Sequence, residues 1–132
     1  MTPDEMKRRI REFALRCVRL AASFPKNAAG DTIGRQLIKA ATSAAANYRA
    51  ACIARSRADF VSKLGLVEEE ADEAVFWIEF AADAGLVRRK RVQGLLAEGV
   101  EIVRIIARSR MTARARLKLA KTRRSASVDD EG

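Results

Sequence analysis

The chain has 132 residues and a formal charge of +9, from 26 Lys plus Arg against 17 Asp plus Glu, and it contains no histidine. That length favours one domain, which buries enough surface to fold without disulfides or a metal. The missing imidazole excludes Ser-His-Asp and Cys-His catalysis and every metal site that uses His, and 7 Gly with 2 Pro are too few for a loop-rich or β-rich fold.

No apolar run approaches ~18 residues, so no membrane span is expected. The start, Met1-Thr2-Pro3-Asp4-Glu5, is acidic and unlike a signal peptide. Cys17 and Cys52 both fall on apolar helix faces and read as buried, reduced thiols. The expected compartment is the cytoplasm.

Apolar positions follow a helical period through four segments. The first runs from about Asp4 to Ser23, with Met6, Ile10, Phe13, Ala14, Cys17, Leu20 and Ala21 on one face. Asp4 and Glu5 suit the positive end of the helix dipole, and Phe24-Pro25 ends the helix because a residue before proline avoids the α region. Asp31 reads as the N-cap of a second segment reaching Arg55, whose stripe is Ile33, Leu37, Ala40, Ala41, Ala44, Tyr48 and Ala51. So much alanine favours the helix and lets a neighbour approach closely. Ser56 caps a third segment, with Asp59 three residues on. Phe60, Leu64, Val67, Ala71, Ala74, Val75 and Ile78 line its inner face, and Gly85 sits just past its end. The fourth runs from about Arg88 through Met111 towards Lys121, on the stripe Val92, Leu95, Leu96, Gly99, Ile102, Val103 and Ile106. Gly94 and Gly99 read as close-packing points, with a kink as the alternative.

Four amphipathic helices on short connections predict an all-α, antiparallel up-down four-helix bundle with an extended basic C-terminal helix. The bundle is expected over residues 1–122, with a disordered polar tail over 123–132.

Two features exceed a simple monomeric bundle. Phe76, Trp77, Phe80 and Leu66 lie off the inner stripe of the third segment, where a lone bundle should be polar. They form a candidate oligomer interface, since a patch of large apolar residues marks a contact. Charge is also segregated. Residues 32–57 carry five basic groups and no acid, whereas residues 58–87 carry eight acids and one lysine. Glu68/Asp72 and Glu69/Glu73 are like-charged pairs one turn apart, which basic neighbours on the second segment, within the chain or across subunits, are expected to relieve. Without His the carboxylates lack the Glu-x-x-His motif of di-metal bundles, so they read as electrostatic glue or a partner surface. No cofactor, metal or catalytic residue is indicated.

The nine basic residues between Arg104 and Arg124 meet no acid. Arg104, Arg108, Arg110, Arg114, Arg116, Lys118 and Lys121 form the candidate nucleic-acid surface, joined by the compact group Arg88-Arg89-Lys90-Arg91 at the other end of the segment. Arginine dominance suits phosphate. No aromatic residue interleaves either tract, so backbone binding is expected rather than base stacking.

The run Arg35-Gln36-Leu37-Ile38-Lys39-Ala40-Ala41-Thr42-Ser43, then Ala46-Asn47-Tyr48-Arg49-Ala50-Ala51, then Ala54-Arg55-Ser56-Arg57-Ala58-Asp59-Phe60, resembles the four-helix bundle proteins of the 23S rRNA intervening-sequence family. Lys63-Leu64-Gly65, Glu69-Glu70-Ala71-Asp72-Glu73 and Trp77 are similar to that family's third helix. The likeness covers about residues 8–108. It departs at Ala50, where the family often has an acid, and at Ala44 and Ala45, where it tends to have Ile and Gly or Pro. The resemblance implies a ring, typically a homopentamer, and no established enzymatic activity. Basic pentameric bundles that work beside the reverse transcriptase of diversity-generating retroelements are similar in architecture, an analogy of form alone. The partners expected are copies of the chain itself and RNA or DNA; an adaptor ring that binds a protein is the alternative.

Overall fold

The computed structural model describes the backbone of residues 1–131 and the side-chain surroundings of residues 1–127. Four helices follow one another: α1 (Pro3–Ala22), α2 (Ala28–Cys52), α3 (Arg57–Asp83) and α4 (Arg89–Glu131). They form an antiparallel four-helix bundle in which α2 packs on α1 and α3, and α3 packs on α4, while α1 and α4 meet over a short stretch. No helix among the described residues is long and apolar enough to cross a membrane.

Each boundary has a local cause. Thr2 and Glu5 cap α1 reciprocally, each side chain accepting the other's backbone N–H. Ser56 Oγ accepts the Asp59 N–H at 3.0 Å and caps α3. The end of α3 is a Schellman turn: Gly85 takes φ 77°, its N–H reaches the Ala82 carbonyl, and the Leu86 N–H reaches that of Ala81. The start of α2 differs from expectation. Asn27, not Asp31, is the cap, and its Oδ1 accepts the Gly30 N–H at 2.8 Å. Gly30 lies inside the first turn, where a Cβ would stand 1.9 Å from the Pro25 carbonyl oxygen.

The core joins the predicted stripes of all four helices, with Ile10, Phe13, Cys17, Leu37, Leu64, Ile78, Ile102 and Ile106 fully buried. Alanines on α2 and α3 (Ala40, Ala41, Ala44, Ala71, Ala74) are buried between them and set a close approach. Gly99 is a packing point as expected: a Cβ there would meet Val75 Cγ2 at 2.8 Å. Gly94 is not. It is exposed, with Arg16 Nη2 its nearest neighbour at 3.8 Å.

The fourth helix outruns its expected end. It is helical through Glu131, across the stretch expected as a disordered tail from residue 123, and Gly132 lies outside the described residues. No Pro or Gly interrupts the sequence from Val100 to Glu131, so nothing local ends the helix. Beyond Ile106 it leaves the four-helix core but stays beside α3, with Ala113, Leu117 and Ala120 half-buried on the α3 side.

Candidate nucleic-acid interface

The continuous stripe of α4 stops at Ile106, and from there the helix turns a basic surface outward. Arg104, Arg108, Arg114, Arg116, Lys118 and Lys121 are exposed. None of them has an ion-pair partner among the described residues. Arg104 to Lys121 spans about 25 Å of axis at 1.5 Å per residue. Arg110 is the exception in the row. It is half-buried, and its Nε–H donates to Glu68 Oε2 on α3 at 2.6 Å.

The second basic group does not join the first. Arg88, Arg89, Lys90 and Arg91 are exposed, but they sit at the opposite end of α4, about 30 Å from Arg110 along the axis. Arg89 is also paired with Asp83 at the end of α3.

Within one chain, the acids of α3 that are paired find their partners on α4 and on α3 itself rather than on α2. Basic groups on α2 make no ion pair with α3 among the described residues; Glu68 and Asp83 are instead held by Arg110 and Arg89 of α4, and Asp59 by Lys63 of α3 itself at 2.6 Å. The α2 stripe that meets α3 is alanine, too short to carry a charge across the contact. Lys39 influences Glu70 only through space. The Glu70 carboxyl is raised above its usual value, chiefly by burial and then by Glu73, which outweigh the lysine. A further tie, absent from the sequence reading, joins the first and last helices: Arg9 forks onto Glu98, Nε to Oε2 at 2.9 Å and Nη2 to Oε1 at 2.7 Å. That hydrogen bond is the main reason the Arg9 guanidinium is raised.

Phe76, Trp77 and Phe80 of α3 form a ring cluster at the surface of the bundle. Phe76 and Phe80 are 50% and 43% exposed. The Phe76 ring meets Trp77 edge-on at 4.9 Å and Phe80 at 5.6 Å between centroids. Trp77 is half-buried against the core, and its Nε1–H is buried without an acceptor. Leu66 is exposed too, but it lies about 15 Å down the helix from Phe76, with Glu69 and Glu73 on the intervening turns. It therefore stands apart from the ring cluster.

Cys17 is buried and Cys52 half-buried, both as free thiols. Burial pushes the Cys17 thiol up to about 12 and leaves it protonated and unreactive. Among the described residues no group of three or more His, Cys, Asp or Glu is placed to hold a metal ion.

Fold and surface together define an all-α bundle that carries an arginine-rich helical extension. The chain belongs to the 23S rRNA-intervening sequence protein family, whose model matches residues 4–108. A solved structure from Bacteroides thetaiotaomicron, a protein with unknown function from the S23 ribosomal protein family, is similar at a TM-score of 0.77 and 28% identity, over 84% of this chain and 99% of that one. No curated protein matches. The family match ends at Arg108, so Arg110, Arg114, Arg116, Lys118 and Lys121 lie beyond it.

Proposed function

We propose that the protein is a cytoplasmic, non-enzymatic homo-oligomer that binds RNA or DNA, chiefly through backbone phosphates. The observation that carries this reading is the exposed row Arg104, Arg108, Arg114, Arg116 and Lys118, one-signed and without carboxylate partners among the described residues. A solvated helix end would need only a charge or two near the last carbonyls. Guanidinium groups along several turns suit a repeating phosphate ligand. Titration of labelled RNA and duplex DNA against the full chain and a chain ending at Ile106 tests it. Binding at low salt that weakens at least tenfold on truncation supports the reading, and no binding, or binding unchanged by truncation, refutes it.

The exposed Phe76 and Phe80 rings, with half-buried Trp77 beside them, support self-association, with a pentamer as the form that the family resemblance implies. A ring would repeat the basic row and raise affinity without any new contact. Sedimentation of a Phe76→Ser/Phe80→Ser variant should give smaller species than the unsubstituted chain; a monomeric unsubstituted chain contradicts it. The same acid-flanked rings favour the second reading, an adaptor ring that holds a protein partner.

A further inference from the structure

A groove opens where the far end of α4 passes the first turn of α3. Its floor is Ala58, Leu117 and Ala120, its charged walls are Arg57, Lys121 and Arg124, and its volume is about 590 Å³. The lining contains no acid, and none of the three cations makes an ion pair among the described residues. Arg57 is more than sixty positions from Lys121 in sequence, so only the antiparallel packing of α3 and α4 brings them to one place. Such a gathering of like charge on a folded surface costs free energy unless an anion spans it.

The backbone adds to the same side. Ser56 Oγ takes the Asp59 N–H and the Ser56 carbonyl takes that of Phe60. The N–H groups of Arg57 and Ala58 precede those bonds and have no acceptor within the helix. On α4 the groove adjoins Arg114 and Lys118, which precede Lys121 by seven and three residues and so share its side of the helix. Half of the groove comes from α3, within the family match, and half from the part of α4 beyond it.

We propose that this groove grips one phosphodiester of the bound nucleic acid between Arg57 on α3 and Lys121 and Arg124 on α4. The proposal rests on the nucleic-acid reading above and adds Arg57, a residue outside the α4 row, as an anchor.

The test compares Arg57→Gln, Lys121→Gln and their double variant with a control, Lys26→Gln, in the α1–α2 connection. All four are substitutions of exposed residues, and circular dichroism melts verify that they stay folded. Labelled duplex DNA and single-stranded RNA are the probes, and phosphatidylserine vesicles form a separate arm. The double variant should bind duplex DNA about eightfold more weakly at 0.1 M salt, with a salt slope shallower by about 0.9, the loss of one phosphate contact. The single variants should couple, their separate losses failing to add. If Arg57→Gln binds like the control while Arg114→Gln weakens binding, the groove proposal falls and the nucleic-acid reading stands. If the unsubstituted chain binds neither nucleic acid at low salt, both fall. Binding to vesicles alone, abolished by Arg57→Gln, would assign the groove to a lipid headgroup and overturn the proposal.

Discussion

Arg110 reaches across the α3–α4 contact and donates its Nε–H to Glu68 Oε2 at 2.6 Å, with both side chains about a quarter to a third exposed. It is one of two ion pairs that join the acidic helix to the basic helix, the other being Asp83 with Arg89. Arg110 is thereby neutralised, while Arg104 and Arg108 before it and Arg114, Arg116 and Lys118 after it face solvent without an ion-pair partner among the described residues.

Glu68→Gln should therefore strengthen nucleic-acid binding. The substitution removes a negative charge beside the row and frees Arg110 for a phosphate. The pair is partly solvated, so the stability lost should stay within about 1 kcal/mol. Affinity should rise a few-fold at low salt, and the gain should shrink as salt is added. A Glu68→Gln chain that binds more weakly would show that the ion pair positions α4 for the ligand instead.

The two glycines of α4 should respond oppositely to alanine. A Cβ on Gly99 would fall 3.0 Å from two ring atoms of Phe13 and 2.8 Å from Val75, in a buried and crowded place. Overpacking of this kind costs about 1–3 kcal/mol, more than the ~1 kcal/mol of helix propensity that alanine returns. Gly94 is exposed with space above it, so Gly94→Ala should stabilise by up to ~1 kcal/mol. Urea unfolding midpoints of the two variants measure both signs.

Alkaline pH should weaken the fold through two buried groups. Burial raises the Cys17 thiol to about 12, and burial followed by the neighbouring Cys52 raises the Tyr48 hydroxyl to about 12. Both values lie above those of the unfolded chain, about 8.5 and 10. The neutral forms are thus favoured by folding. Their contribution is whole below the unfolded values and is lost as pH climbs through the folded ones. Stability should fall between about pH 9 and 12. Cys17→Ala should flatten the first part of that fall, before Tyr48 titrates. Unfolding midpoints at pH 7, 9 and 10 measure it; an unchanged pH profile in Cys17→Ala would contradict the assignment.

Much of this architecture was legible because helical periodicity is a local signal. Met6 to Leu20 on α1 and Leu64 to Ile78 on α3 turn the expected faces inward. Ser56 and Gly85 cap where their chemistry predicts. The start of α2 is not legible in sequence because Gly30-Asp31 reads as a turn and cap. Here the glycine serves close approach: the Pro25 carbonyl lies against it, and Asn27 takes the cap three residues earlier. The reach of α4 was also understated. Charged residues at Arg110 and Arg114 break the apolar stripe, but spaced small residues such as Ala113 and Ala120 keep the helix against α3.

The candidate site divides the same way. That Arg104 to Lys121 is basic and one-signed is plain from the residues. Which members are free is not, since Arg110 is paired by a residue forty-two positions away. Nor does sequence show that Arg89 is paired with Asp83 at the end of α3. Arg57 is not singled out by its sequence for the same reason. Its neighbours Lys121 and Arg124 come from another helix, and no spacing rule links them.

The most direct test of the central claim is the salt dependence of duplex DNA binding by the full chain. With about five phosphates neutralised by the α4 row, log K should fall against log salt with a slope of roughly −4.5. Arg114→Gln with Arg116→Gln should make the slope shallower by up to about 1.8, in line with two lost contacts. A slope near zero, or one that these substitutions leave unchanged, would contradict the claim that the arginine row of α4 is where nucleic acid binds.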